Sequence, residues 1–482
     1  MNVTVCGSGL AARMTVAALA SGFSDSIRLT HLECMEPSGA DLFYGNLAGP
    51  SAYSFNLAAG VTEPRLLLET DTTLSWGTKY SHWGARRRSW TQCFHLPFPV
   101  IGGVPFHQYL TRLGLGELEP FLASAVAAHL GRFAHPLEDG PPPLARAEYG
   151  YHFDPASYQA PFAVAAAKHV RHMKAEIRGV ELDERGIASL HLSDGRRHAA
   201  DLYVDCTGLD AGLISRIGPP ASGTRQLCAV SSTRSVDAPS LPVRVITAGD
   251  FGWQAETSLQ GGVARLTVYH PEAAAAANAA HGAKPARIAD ATLGRRAQPW
   301  FANCVAVGLA ARVIEPLTPA PMLLLQRDIE RLLSLIPLSA DMAVERREYN
   351  RQAADDDEHA GLFTHALLEP PGATDAPYWR AAREDPLPEK LAGKISQFES
   401  RGILVAYDHE PFNAEDWTIL HFGMGRQPAR YDRLADRLPG PEVLRHLANM
   451  RRNIEELARS LPPHREYVAG MIRHLEQQGR SA

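Results

Sequence analysis

No run of about 18 apolar residues occurs in this chain of 482, so nothing in it reads as a membrane span. The opening MNVTVCGSGL has no basic stretch followed by an apolar one, so no secretory leader is expected. Net charge is only -5, from 48 basic and 53 acidic residues, which excludes the basic footprint that nucleic acid demands. The six cysteines (6, 34, 93, 206, 228 and 304) form no CxxC pair, which argues against a disulfide frame or a zinc site. Their scatter points to the cytoplasm. The 39 Gly and 35 Pro show no period, which rules out a collagen-like chain. With 45% hydrophobic and 21% charged residues the chain is not a disordered one either. Low complexity is confined to the alanine-rich 272–280, read as an exposed helix.

What remains is an ordinary globular composition with a informative start. Asn2 to Cys6 alternates polar and apolar residues and runs into Gly7-Ser8-Gly9, a strand entering a tight turn. Residues 11–20, closed by Ser21-Gly22, read as a helix. Residues 27–32 form a second strand that ends on Glu33. Gly7-Ser8-Gly9-Leu10-Ala11-Ala12 is therefore G-x-G-x-x-A inside a βαβ unit, the dinucleotide fingerprint. Gly7 permits the turn and Gly9 lets backbone approach a pyrophosphate. Ala11 and Ala12 let the helix pack closely, and Glu33 is placed to accept from a ribose hydroxyl. The fingerprint serves NAD and FAD alike.

Residues 38–66 read as loop and 137–147 as a linker. Residues 175–205 read as a meander, 216–241 as a passage between subdomains and 244–269 as antiparallel strands. The last third is helical, with Val443, Leu447, Met450, Ile454, Leu457 and Leu461 on one stripe. The fold class is α/β. The expected division is 1–340, a dinucleotide module interleaved with substrate-sheet segments near 85–170 and 220–295, and 341–482, a mainly helical substrate-binding region.

Several ordered motifs resemble the flavin-dependent tryptophan halogenase family over nearly the whole chain. They are Lys79-Tyr80-Ser81-His82-Trp83, Gly103-Val104-Pro105-Phe106-His107-Gln108-Tyr109, Tyr151-His152-Phe153-Asp154 and Asp205-Cys206-Thr207-Gly208. Asn303-Cys304 through Glu315-Pro316-Leu317, then Asp375-Ala376-Pro377-Tyr378-Trp379-Arg380, and Trp417 to Gly425 with Pro428 and Tyr431, continue the series. The resemblance implies a glutathione-reductase-like FAD module with a helical substrate layer. It adds Gly45, Asp205, Gly208 and Gly308 to the cofactor-binding residues. It implies O2 as co-substrate and reduced FAD from a separate flavin reductase, since no second nucleotide fingerprint for NADPH is present. The implied substrate is a small aromatic molecule, free or carrier-bound.

The departures cluster at one passage. Where the family has its lysine, in F-K-x-G-(I/V)-(R/K)-F, this chain reads Leu74-Ser75-Trp76-Gly77-Thr78-Lys79-Tyr80. A hydroxyl at Ser75 cannot carry the ammonium. The family's E-P-L-E-S-T-G becomes Glu315-Pro316-Leu317-Thr318-Pro319-Ala320-Pro321, without the second carboxylate and with two N–H donors removed. Gly252-Trp253 survives from G-W-x-W-x-I-P, and Gly45-Asn46-Leu47-Ala48 replaces G-E-x-T. The expectation is a reduced-flavin monooxygenase of halogenase fold that oxidises an indole-like or phenolic biosynthetic intermediate. His95 and Glu315 are its candidate acid/base groups, and His95, Phe98, Trp253 and Trp417 its candidate substrate contacts. The alternatives are a halogenase with Lys79 as a re-sited amine, a flavin-binding scaffold without turnover, and a flavin dehydrogenase. With positions 75, 77 and 79 on one strand face, Lys79 would lie about 13 Å along the strand from Ser75.

Overall fold

The computed structural model describes the chain except residues 24–25, 85, 138–139, 167–169, 235–239, 338–340, 370–374, 385 and 482. Two of these, 138–139, fall in the expected linker at 137–147. A six-stranded sheet runs in the order Val170–Lys174, Arg28–Glu33, Asn2–Cys6, Leu202–Asp205, Cys304–Ala306 and Trp300–Phe301. Its first five strands are parallel and the last is antiparallel. Val3, Val5, Leu202, Val204 and Val305 are fully buried, as expected of a parallel sheet covered on both faces. Helix Leu10–Phe23 lies on it, and its alanines allow the close packing that the turn before it requires.

A seven-stranded sheet stands beside this module, ordered Arg287–Thr292, Gln226–Arg234, Gly262–Tyr269, Gly252–Leu259, Arg244–Gly249, Gly77–Trp83 and Arg88–Cys93. Its neighbours are antiparallel except Arg244–Gly249 with Gly77–Trp83. Helices dominate from Ala320 onward, including Ala343–Leu368, Glu389–Arg401, Ala414–Gly423, Gly440–Ser460 and His464–Ser481. On Gly440–Ser460, Val443, Leu447 and Ile454 are buried, so the stripe docks the helix on the core. No helix among the described residues is long and apolar enough to cross a membrane.

Three local readings are corrected. The stretch 38–66 holds helix Ser51–Ala58 and the start of Glu63–Glu69, the second capped by the Thr62 hydroxyl with Pro64 in its first turn. Its glycines punctuate helices rather than exclude them. The passage at 216–241 contains the nine-residue strand Gln226–Arg234, paired on both sides, where cross-strand partners override a polar composition. The meander at 175–205 is a three-stranded unit of Ile177–Asp183, Gly186–Leu192 and Arg197–His198, while Leu202–Asp205 leaves it to join the parallel sheet.

Buried ions tie the helices to the parallel-sheet module. Arg312 and Arg331 both hold Asp328, at 2.9 and 3.1 Å, and Asp328 also accepts the Gly308 N–H at 3.1 Å. Buried histidines make stability acid-sensitive. Burial pushes His107 from 6.5 down to about 4. The unfolded chain then binds a proton that the folded chain refuses, so this group's contribution is lost as pH falls from 6.5 through about 4. Asp357 and Asp416, raised by burial to about 6 and about 7, act in the opposite direction. Comparison with a variant isolates the histidine. His107→Gln should lose less stability than the parent across that window, by on the order of 2–3 kcal/mol, in denaturant titrations at each pH.

Candidate active site

The dinucleotide turn sits between strand Asn2–Cys6 and helix Leu10–Phe23. Gly7 has φ +140°, and a Cβ there would meet the Cys206 carbonyl oxygen at 2.3 Å. The N–H groups of Ser8 and Gly9 point to one place and donate to the carboxylate of Glu36 at 2.5 and 2.6 Å. These donors hold an anion at a helix N-terminus, which is the chemistry a pyrophosphate needs. Glu36 supplies a stand-in anion, so the turn fits the pyrophosphate of a dinucleotide such as FAD. Burial raises the Glu36 carboxyl above its ordinary value, against the pull of the two N–H groups.

Glu33 does not reach the turn. Its carboxylate lies 3.6 Å from Arg13 and 4.0 Å from His31. The acid at the turn is Glu36, three residues beyond the strand end. A second acid in Glu33-Cys34-Met35-Glu36 was its only trace in the sequence. His31, Glu33 and His172 hold ligand atoms within 4.8 Å of one another, but Arg13 opposes a cation there.

The other cofactor-side residues arrange loops. Ala12 is fully buried and Ala11 lies under Gly308. Asp205 is fully buried and accepts N–H groups from Thr207, Leu213 and Ile214, plus the Thr207 hydroxyl. It shapes the turn at Gly208 (φ +70°). Gly308 (φ +66°) leaves no room for a side chain, since a Cβ would meet the Tyr44 hydroxyl at 2.3 Å. Gly45 (φ +71°) lies against Pro316 and the Arg244 guanidinium.

The segment 315–318 is fixed from several elements. The Glu315 carboxylate accepts from Arg225, from the Trp253 indole N–H at 2.7 Å and from the Tyr378 hydroxyl. Arg244, fully buried, donates to the carbonyls of Pro316 and Leu317 at 3.0 and 2.6 Å, and burial lowers it to about 10. Tyr80 donates to Leu317 O at 2.8 Å. The Thr318 hydroxyl accepts the Ala320 N–H at 3.2 Å at the start of helix Ala320–Ser334.

Thr318 and Pro319 lead into a cavity of about 250 Å³. Thr78, Tyr80, Phe94, His95, Phe363 and Phe412 form part of its wall. His95 is the one expected substrate contact on that wall. Its Nδ1 pairs with the Leu96 carbonyl, and burial pushes it down to about 4, so it is neutral at physiological pH. Phe98 and Trp417 stand one layer back, edge-on to His95 at 5.1 Å and to Phe363 at 4.9 Å. Trp253 is turned to Glu315 and is absent from the wall.

Lys79 is absent from it as well. The expected continuous strand is broken at Trp76 into Thr73–Ser75 and Gly77–Trp83, with Gly77 at φ +138°. Thr78 and Tyr80 take the cavity face, so alternation sends Lys79 to the other, opposite Thr91. Ser75 is fully buried, accepts the Gly77 N–H at 3.1 Å and donates to Gly77 O. No lysine is among the residues lining the cavity.

A family model described as tryptophan halogenase matches residues 2–440. Tryptophan 7-halogenase KtzQ of Kutzneria sp. (strain 744) is 25% identical over 444 residues, 83% of this chain and 81% of that protein. Tryptophan 6-halogenase ThaL of Streptomyces albogriseolus is 25% identical over 439 residues, 83% of this chain and 82% of that one. Among solved structures, the flavin-dependent halogenase BrvH from Brevundimonas sp. BAL3 superposes with a TM-score of 0.88 at 28% identity, covering 98% of this chain and 99% of that one. Xcc4156, a flavin-dependent halogenase from Xanthomonas campestris, gives 0.88 at 26%, covering 98% of each. The chain therefore belongs to the tryptophan halogenase family, with that family's FAD-type α/β fold.

Proposed function

We propose that this chain is a reduced-flavin, O2-dependent oxygenase that oxidises one small aromatic molecule without halogenating it. Reduced FAD supplies the electrons that activate O2. The chain's own residues bind the substrate, orient it and keep out water. The observation that carries the reading is the fate of two hydroxyls. Ser75 and Thr318 stand where the family resemblance places an amine and a carboxylate; the Ser75 hydroxyl is bonded to the Gly77 backbone, and the Thr318 hydroxyl, on the cavity wall, accepts the Ala320 N–H. Pro319 and Pro321 remove N–H groups that would hold a halide. The cavity volume suits one indole-sized molecule and is small for a carrier-bound group. His95, neutral and on the wall, is the residue placed to exchange a proton with substrate. Glu315, held by three donors, positions the loop. A separate reductase is the proposed source of reduced FAD.

A second reading has its own observation. Lys394, 1% exposed, lies 2.7 Å from Glu410, and Glu410 lines the cavity. An ammonium and a carboxylate thus meet beside the substrate space, at positions far in sequence from the family's pair. Family membership favours halogenation, and the Lys394–Glu410 pair is the route this reading proposes for it. Reduced FAD from a stand-alone reductase, O2, bromide and an aromatic panel decide between them by product mass. Oxygenated products support the first reading. A bromine isotope doublet that is lost in Lys394→Met supports the second. Reoxidation of flavin with no product contradicts both.

A further inference from the structure

Four charged side chains line the cavity: Glu148, Glu410, Asp416 and Arg327. Two are already neutralised. Lys394 stands against Glu410 at 2.7 Å, and Arg327 is bound to Asp356 and to the His409 carbonyl. Glu148 has no ion pair among the described residues. Asp416 accepts the N–H of Asn413 at 2.9 Å in a helix cap and has no cationic partner among them. His95 is neutral, so it does not offset them. Burial pushes the Glu148 carboxyl above its ordinary value and Asp416 up to about 7. A half-buried carboxylate without a counter-charge has lost part of its hydration, and a ligand that brings an ammonium recovers that cost through a charge-assisted hydrogen bond. Tyr80, Phe94, Phe363 and Phe412 supply apolar ring surface for the rest of the molecule.

We propose that the cavity selects a small aromatic amine, protonated on nitrogen and lacking a carboxylate, with Glu148 receiving the ammonium. An aromatic acid would set another anion beside Glu148, where Arg327 already carries its own partner. A neutral arene would leave Glu148 uncompensated. The inference rests on the cavity being the substrate site. It is tested by binding without turnover, so it can fail while the oxygenase reading stands, and the reverse.

Tryptamine, 3-ethylindole and indole-3-propionate share a ring and differ in tail charge. Calorimetric titration of the full chain should find tryptamine bound about tenfold or more tightly than 3-ethylindole, and indole-3-propionate weakest. Glu148→Gln should bring tryptamine to within about threefold of 3-ethylindole while leaving 3-ethylindole unchanged, which also reports an intact cavity. The wild-type ranking decides by itself if that variant does not fold. Equal or tighter binding of the neutral or acidic probe, no tryptamine binding at millimolar concentration, or an amine preference that survives in a folded Glu148→Gln overturns the proposal.

Discussion

Glu315→Ala is expected to destabilise the protein by about 3–5 kcal/mol, the cost of breaking a buried charge pair from one side. The Glu315 side chain is 1% exposed and answers three donors drawn from distant parts of the chain. Arg225 comes from strand Gln226–Arg234's entry, Trp253 from Gly252–Leu259 and Tyr378 from helix Pro377–Glu384. Without the carboxylate, a buried indole N–H and a buried phenol lose their acceptor, and the Arg225 guanidinium loses one of its acceptors. Glu315→Gln keeps an acceptor oxygen and should fall between the two. Urea titration measures the difference. A proton-transfer role alone predicts the reverse pattern: stability close to wild type in both variants, with turnover abolished.

Gly7→Ala is expected to weaken flavin binding strongly. The backbone at Gly7 has φ +140°, and the obstructing atom is the Cys206 carbonyl oxygen rather than a side chain that can swing away. Forcing a side chain into such a backbone region costs on the order of 1–3 kcal/mol before the overlap is counted. The turn must open against strand Leu202–Asp205, and the Ser8 and Gly9 N–H groups then cease to converge. Flavin affinity should drop by roughly tenfold or more, read from quenching of flavin fluorescence. Wild-type affinity in a folded Gly7→Ala protein would mean that flavin is held elsewhere.

The dinucleotide module was legible because its determinants are local: a strand, two glycines, small helix residues and a second strand within 33 residues. Helices 51–58 and 63–69 were hidden by the glycines and prolines between them, although Thr62 and Pro64 form a start signal. The break in the strand was not legible between Ser75 and Lys79: period-two counting assumes an unbroken strand, and this one is interrupted at Trp76 with Gly77 at φ +138°. Residues of the cavity wall were missed because they meet only in three dimensions. Phe94 comes from the end of one strand, Phe363 from a long helix and Phe412 from the loop before another. The rings that were named, Phe98 and Trp417, back that wall. Glu36 was missed since its reach depends on the chain path after the strand. Glu315 was singled out, but the three donors that define its role lie 62 to 90 residues away.

The reaction with labelled oxygen bears most directly on the central claim. Reduced FAD, 18O2, excess bromide and an aromatic amine should yield a product that carries one 18O atom and no bromine, seen by mass spectrometry. A product that carries bromine, with the label found only in water, would contradict it.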